Sequence, residues 1–230
     1  METIKWSGRE WLTRETWGLY HPNNKLFWYD RSAVEVNGGG LLKLKVHKNP
    51  RQFDGSFIET GVGLISSVDD FRFGHFEIEC MLPTGKHLWP AFWSYGRETW
   101  PPEVDIFEGY TKAGGNYFGT FFDALSLWNV QTNAHWGNVN KGTKGSASPK
   151  THWFGIRNPS RNYIRYRMSW FPDKIIIYYN NNEVRRFSEK PLLEQMNSQP
   201  SRVIINNAVT ASNWSLKDDF KVRYFRYEPL

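Results

Sequence analysis

Glu103, Asp105 and Glu108 lie within one short segment and could act together on a substrate. The β-branched residues between them favour a strand, on which Glu103 and Asp105 share one face while Val104 and Ile106 take the other. Glu108 would face the wrong way in a regular strand, but a β-bulge of one inserted residue would return it. Such a cluster shifts the pKa values of its members, as glycoside hydrolysis requires of an ionised nucleophile and a protonated acid.

The same three acids have two other interpretations. An ordinary strand can carry acidic residues on a solvent-exposed face without any catalytic role. A calcium site is the second, since hard cations favour carboxylate oxygens as ligands. The acids alone leave these alternatives open.

Apolar and polar residues alternate with a period of two through most of the chain, which indicates strands. The pattern predicts a hairpin at 174–187, where three asparagines that tolerate positive φ separate two strands, and one short helix at 192–197. Small polar residues at 137–149 predict a surface loop. Many short strands without βαβ alternation indicate an antiparallel sandwich or barrel. Further strands are predicted at 74–81, 163–170, 202–206 and 220–227.

The length of 230 residues fits one domain, 1–230, with a self-sufficient core. The single cysteine, Cys80, excludes an internal disulfide and a cysteine-based zinc site. No apolar run approaches the ~18 residues of a spanning helix, so we expect no membrane partner. Aromatic residues make up 17% of the chain and include 12 Trp, more than a core requires. This excess favours a surface that stacks on flat ligands such as sugar rings or bases.

The formal net charge of +6 raises nucleic acid as a partner, but the distribution of charge argues against it. Residues 1–149 carry 15 basic and 16 acidic residues, whereas residues 150–230 carry 14 and 7. Basic residues such as Arg165 and Arg167 alternate along strands without a dense cluster, so we expect no nucleic-acid partner. The first residues contain no apolar segment, so we expect no secretion signal in this sequence.

Longer segments around the acids resemble glycoside hydrolase family 16. The pattern Glu-x-Asp-x-x-Glu is similar to the branch of that family whose catalytic strand carries a bulge. The resemblance covers most of the chain, because other segments are similar to the opening strands of the family, to the strand after the catalytic one and to the closing strand. The segments that carry the resemblance are 11–17, 61–67, 73–79, 82–85, 88–93, 102–108, 131–136 and 222–227.

The resemblance implies an all-β fold, a β-jelly-roll sandwich of two curved antiparallel sheets with an open substrate cleft, similar to concanavalin A. It also implies retaining endo-hydrolysis of a β-linked polysaccharide. In that reading Glu103 is the nucleophile, Asp105 its helper and Glu108 the general acid/base. We expect no cofactor and no catalytic metal ion, while a structural calcium ion cannot be read from the sequence.

Candidate substrate-binding residues follow from the chemistry of sugars. Indole rings stack on the flat apolar faces of sugars, which makes Trp89, Trp93, Trp100 and Trp136 candidates for the cleft. His135 is a candidate for a hydrogen bond to a catalytic carboxylate or to a sugar hydroxyl, although it also fits an ordinary strand residue.

Three further residues complete the set of candidates. Glu77 matches an acid that often reaches the cleft in the family, although a solvated strand face explains it equally well. Asn206 and Trp214 are candidates for the far end of the cleft.

The expected substrate is a β-1,3- or mixed-linked β-glucan, because relatives with the bulged motif commonly act there. The first alternative is a galactan hydrolase of the agarase, porphyranase or carrageenase kind, since the basic C-terminal part would attract sulfate groups. The second is a non-catalytic lectin of the same fold, against which three mutually repelling acids argue. Because the substrate is an extracellular polysaccharide, we expect a secreted or extracellular protein, and we expect it to be monomeric.

Overall fold

A computed structural model of the protein describes residues 2–21, 23–111, 129–138, 145–153 and 159–230. These ranges form short strands and one α-helix, in agreement with the period of two in the sequence. The strands are β1 (Thr3–Trp6), β2 (Arg9–Leu12), β3 (Trp28–Tyr29), β4 (Val34–Val36), β5 (Leu42–Leu44), β6 (Val46–Phe53), β7 (Ser56–Val62), β8 (Leu64–Ser67), β9 (Gly74–Met81), β10 (Thr84–Lys86), β11 (Leu88–Gly96), β12 (Glu103–Gly109), β13 (Asn129–Trp136), β14 (Gly145–Trp153), β15 (Ile164–Phe171), β16 (Lys174–Tyr179), β17 (Asn182–Phe187), β18 (Ser201–Val209), β19 (Ser215–Asp218) and β20 (Phe220–Glu228).

Two large antiparallel sheets make up most of the described chain. One has eight strands in the order β1-β2-β8-β18-β11-β12-β13-β14, and the other has seven in the order β17-β16-β15-β9-β20-β5-β4. A three-stranded sheet, β3-β7-β6, and a two-stranded sheet, β10-β19, complete this part of the chain. The predicted all-β sandwich of antiparallel sheets is therefore confirmed.

The main core lies between the two large sheets because each sheet turns its apolar side chains inward. On β9, Phe76, Ile78 and Cys80 are fully buried, whereas Glu77 and Glu79 between them face outward. The same cluster contains buried residues of β11, β12 and β18 from the facing sheet. This packing fixes which face of β12 points to the core and which points away from it.

A second apolar cluster covers part of the outer face of the eight-stranded sheet. Tyr29 of β3, Val46 of β6 and Val62 of β7 pack there against Ile204 and Ala208 of β18. The three-stranded sheet therefore lies beside the outer face, next to the residues of β11 and β12 that line the cleft. This arrangement forms one wall of a cleft.

The hairpin and the helix also match the sequence predictions. Strands β16 and β17 meet at Asn180 and Asn181, which adopt positive φ values of 49° and 71°. The α-helix α1 spans Lys190–Ser198, with Pro191 in its first turn, where proline is favoured. The described residues contain no helix that is long and apolar enough to cross a membrane.

The predicted surface loop at 137–149 is wrong in its last part. Strand β14 begins at Gly145 and pairs with β13, with Gly145 opposite Trp136. Backbone pairing to an open sheet edge overrides a composition that is typical of loops. Residues 139–144 lie outside the described ranges.

Candidate active site

Strand β12 carries the three acids, and a shift in its pairing places all of them in one cleft. Phe92 of β11 pairs with Phe107, but the next residue, Trp93, pairs with Asp105, so Ile106 is left without a partner on β11. Ile106 and Phe107 are both buried in the core between the sheets. Two successive core-facing residues return the third acid to the cleft, as expected for the β-bulge inferred from the sequence.

Pairing between neighbouring strands arranges the cleft floor in rows of residues on one face. Each row crosses from β11 through β12 to β13, and each contains one of the three acids. The rows are Tyr95–Glu103–His135, Trp93–Asp105–Asn133 and Ala91–Glu108–Gln131.

Glu103 accepts a hydrogen bond from an exposed indole. Trp100 Nε1 donates to Glu103 Oε2 at 2.7 Å. His135 Nε2 lies 3.7 Å from Glu103 Oε1, and the amide nitrogen of Asn133 lies 3.1 Å from the same histidine nitrogen. An N–H group that donates to a carboxylate oxygen orients it and stabilises its negative charge. Glu103 therefore has the surroundings that a carboxylate nucleophile needs.

Asp105 is almost excluded from solvent, with 4% of its surface exposed. Burial, followed by the negative charges of Glu108 and Glu103, raises the pKa of Asp105 well above its usual range. Asp105 therefore tends to keep its proton, and in that form it can donate a hydrogen bond to a neighbouring carboxylate.

Glu108 combines burial with two hydrogen-bond donors. Trp89 Nε1 at 3.2 Å and the Tyr110 hydroxyl at 2.9 Å both donate to Glu108 Oε1. Burial raises the pKa of Glu108, and the bonds from Tyr110 and Trp89 offset part of this rise. A carboxyl group with a raised pKa holds a proton for a leaving group at higher pH than an ordinary glutamate.

Aromatic rings line the cleft, which has a volume of about 590 Å³. Trp89 stacks on Tyr110 with ring centres 5.6 Å apart, and Trp93 stacks on Tyr95 with centres 5.4 Å apart. The Trp93 Nε1 group donates to Asn206 Oδ1 at 2.8 Å, which fixes the indole on the floor. Rings held in this way can bind sugar faces with little loss of side-chain entropy.

Most of the predicted substrate-binding residues lie in or beside this cleft. Trp89, Trp93 and Trp100 line it, and Trp100 is 43% exposed. His135 lies beside the nucleophile candidate, and Asn206 also lines the cleft. Their contact with a substrate stays a prediction.

Trp136 and Glu77 lie elsewhere, contrary to the sequence predictions. Trp136 follows His135 on β13, so the alternation of the strand turns it to the core side, where it packs against the main core. Glu77 lies on β9 of the seven-stranded sheet, faces outward and accepts a hydrogen bond from Tyr224 at 2.7 Å. Trp214 is also absent from the described cleft lining and donates to Thr60 instead.

Residues 15–29, a segment that ends with β3, supply a wall of the cleft that the sequence analysis missed. Trp17, His21 and Tyr29 line the cleft, and the Trp17 ring lies 5.7 Å from His21 and 5.9 Å from Tyr95. Tyr95 could have been found, because it continues the alternation that places Trp93 on the floor. Trp17 lies outside any regular strand, so no periodicity signals its position.

Glu103, Asp105 and His135 also form a group that could hold a metal ion. One ligand atom from each lies within 4.8 Å of the others. Calcium takes six to eight oxygen ligands, which two carboxylates and an imidazole do not supply. The calcium interpretation of the three acids is therefore not favoured.

Comparison with known proteins places the chain in a family. The family described as Glycosyl hydrolases family 16 matches residues 22–226. A beta-glucanase from Rhodothermus marinus is 27% identical over 212 residues, which cover 84% of this chain and 66% of that protein. The chain spans between 38% and 66% of the length of three curated relatives that it matches.

Solved structures share the fold at low sequence identity. An endo-beta-1,3-glucanase from Pyrococcus furiosus is 18% identical with a TM-score of 0.69, covering 100% of this chain and 99% of that chain. Porphyranase B from Zobellia galactanivorans is 14% identical with a TM-score of 0.73, covering 94% and 84%. The β-jelly-roll architecture is thus shared, and the family match includes the strand with the three acids. The chain belongs to glycosyl hydrolase family 16.

Proposed function

We propose that this protein is a retaining, endo-acting hydrolase of β-1,3- or mixed-linked β-glucan. The observation that carries the proposal is the contrast between two glutamates on one cleft floor. Glu103 accepts a hydrogen bond from an indole at the cleft surface, whereas burial raises the pKa of Glu108. Retaining glycosidases need this contrast, with one carboxylate as nucleophile and one carboxylic acid as proton donor.

The chemistry then proceeds in two steps. The Glu103 carboxylate attacks the anomeric carbon while Glu108 gives its proton to the departing glycosidic oxygen, so the glycosidic bond breaks and a glycosyl-enzyme forms. Glu108, now ionised, takes a proton from water, which attacks the same carbon and releases Glu103. Protonated Asp105 supports both steps by donating a hydrogen bond to a neighbouring carboxylate.

The charge of the cleft supports a neutral glucan as substrate. No lysine or arginine is found among the described residues that line it, so this part of the cleft offers no cation for a sulfate group. Basic residues of the C-terminal part, Arg165, Arg167 and Arg226, line a separate depression with Glu77 on the outer side of the seven-stranded sheet. The β-glucanase and β-1,3-glucanase among the similar proteins also support a glucan over a sulfated galactan.

A sugar-binding lectin without catalysis is the weaker alternative. Lectins need aromatic platforms and hydrogen bonds but no buried acid. Burial of Asp105 and Glu108 costs stability when they ionise, and the shifted pKa values that result suit the acid–base chemistry of a glycosidase.

The same proposal covers location and assembly. A polysaccharide substrate lies outside the cell, which supports a secreted or extracellular protein. We extend the proposal to a monomer whose residues 1–230 act as one catalytic domain without a cofactor.

A screen for new reducing ends tests the proposal directly. We expect products from laminarin or lichenan and not from agarose, porphyran or carrageenans. Proton spectra of the first products should show the β-anomer, because double displacement preserves the configuration of the substrate. The α-anomer appearing first would contradict retention, and activity on a sulfated galactan alone would contradict the substrate.

Trp93→Ala is expected to weaken substrate binding about tenfold, since an indole stacking contact is worth about 1.5 kcal/mol. The fold should tolerate the change, because Trp93 lies on the cleft floor and not between the sheets. Trp170→Ala is the matched control, since Trp170 is fully buried in the main core, and it should cost about 3–5 kcal/mol of stability. Titration calorimetry and thermal melts measure both effects. A large loss of stability with unchanged binding in Trp93→Ala would assign this indole to packing.

A further inference from the structure

Glu15 is a fully buried acid to which the proposed chemistry gives no role. It lies in the segment before β3, outside residues 22–226 that match the family. The Tyr95 hydroxyl donates to Glu15 Oε2 at 3.0 Å, while Glu15 Oε1 has no hydrogen-bond partner among the described residues. An ionised carboxylate buried with one of its oxygens unpartnered is costly, so this position calls for an explanation.

Tyr95 connects Glu15 to the floor of the cleft. The Tyr95 ring stacks on Trp93, and Trp17 packs against it at 5.9 Å. Tyr95 also pairs directly with Glu103 across the strands β11 and β12. A displacement of Tyr95 would therefore disturb both a candidate sugar platform and the row that carries the nucleophile.

The groups around Glu15 do not stabilise its ionised form enough to offset the effect of burial on its pKa. Burial raises the pKa of Glu15 to about 7, and the negative charge of Glu103 adds to the rise. The Tyr95 hydrogen bond, the positive charge of Arg202 and a backbone hydrogen bond at Thr16 oppose it. Glu15 is therefore largely protonated in weakly acidic solution and ionised in alkaline solution.

We propose that Glu15 is a positioning residue that holds Tyr95, and through it Trp93, in the sugar-binding arrangement only while its carboxyl group is protonated. The proposal rests on the cleft being a polysaccharide site. An ionised Glu15 needs more donors than Tyr95 and the Thr16 backbone supply, and the cleft beside Tyr95 can provide water as a further donor. Entry of water there separates the 15–21 segment from β11 and loosens the stacked rings.

Substrate binding should accordingly depend on pH in a way that Glu15 controls. In the wild type we expect the KM for laminarin, or for another polysaccharide that the protein hydrolyses, to rise about fivefold or more between pH 6 and pH 8.5. In Glu15→Gln, which imitates the protonated acid, KM should change less than twofold over this range. The pH dependence of kcat, set by Glu108, should persist in both proteins.

Two measurements need no turnover, so they separate this inference from the proposed function. Tryptophan fluorescence of the wild type should titrate with a midpoint near pH 7, and this transition should be missing in Glu15→Gln, which keeps His21 and His135. The free energy of unfolding should also fall as pH rises from about 4.5 to about 7, because the native state holds a proton that the unfolded chain has released. Glu15→Gln should lack the part of this fall that Glu15 contributes, while the parts that Asp105 and Glu108 contribute remain.

Glu10→Gln is the matched control, since Glu10 is exposed on β2, and it should behave as the wild type in every measurement. Tyr95→Phe removes the donor to Glu15 and should raise KM at every pH. A wild-type fluorescence signal that does not change between pH 6 and pH 8.5 overturns the proposal without any variant. A Glu15→Gln protein that still shows the wild-type fluorescence transition overturns it as well.

Discussion

With Glu108→Ala, hydrolysis of the polysaccharide should fall by about 10²–10⁴-fold, because the leaving oxygen loses its proton donor. An aryl glycoside with an activated leaving group needs no such proton, so the glycosyl-enzyme on Glu103 should still form and then accumulate. Azide needs no general base and should attack the anomeric carbon from the side of the missing Glu108. Turnover should return with added azide, and the product should be the β-glycosyl azide.

Glu103→Ala should fail differently, since no glycosyl-enzyme can form without the nucleophile. Azide can then only enter the space left by the carboxylate and attack from the opposite face, which gives the α-glycosyl azide. Product spectra distinguish the two variants. The β-azide from Glu103→Ala together with the α-azide from Glu108→Ala would exchange the two roles. Glu77→Ala serves as the control, because Glu77 faces outward from the other large sheet, and it should keep wild-type activity.

The shift in β12 shows how far the sequence alone can lead. Val104 and Ile106 fix one face of the strand as apolar, and Phe107 adds a second successive apolar residue. An apolar pair in an alternating strand can be buried on one side only if the strand bulges, so the position of Glu108 could be inferred from residue types.

Other positions depend on information that a local pattern does not contain. Adjacent residues such as His135 and Trp136 cannot share a face of a regular strand, and only the pairing of β13 with Glu103 shows which one turns to the cleft. The pattern on β9 correctly places Glu77 on an outward face, but it does not reveal which of the two sheets receives the strand. Which residue of β13 faces the cleft, and which sheet contains β9, are decided by the fold as a whole.

The wall at 15–29 shows a third limit of sequence reasoning. Trp17 and Glu15 lie in irregular chain, where neither a period of two nor a helical period marks a buried or cleft-facing side. Their positions follow from contacts with Tyr95. In the sequence, Tyr95 lies 80 positions away from Glu15. Long-range contacts of this kind become visible only in the folded chain.

Asp105→Asn is expected to stabilise the protein in alkaline solution and to reduce its activity. The pKa of Asp105 is raised well above 3.8, so the native state holds a proton that the unfolded chain releases. The free energy of unfolding contributed by this group therefore falls as pH rises from about 3.8 towards the raised value. Asparagine has a similar shape and no proton to lose, so this fall should be missing and the variant should melt at a higher temperature at pH 8.

Activity should respond in the opposite direction, because in the proposed mechanism the same proton lets Asp105 donate a hydrogen bond to a neighbouring carboxylate. A hydrogen bond to a charged group is worth about 1.5–3 kcal/mol, so Asp105→Ala should lower kcat/KM by about 10–150-fold. Asp105→Asn keeps an N–H donor and should lose less activity than Asp105→Ala. Asp173→Asn, at an exposed position before β16, is the control and should change neither property. If Asp105→Asn lost as much activity as Asp105→Ala, hydrogen-bond donation would not be the role of Asp105. If the melting temperature of Asp105→Asn followed the wild-type dependence on pH, Asp105 would not be the group that carries the proton.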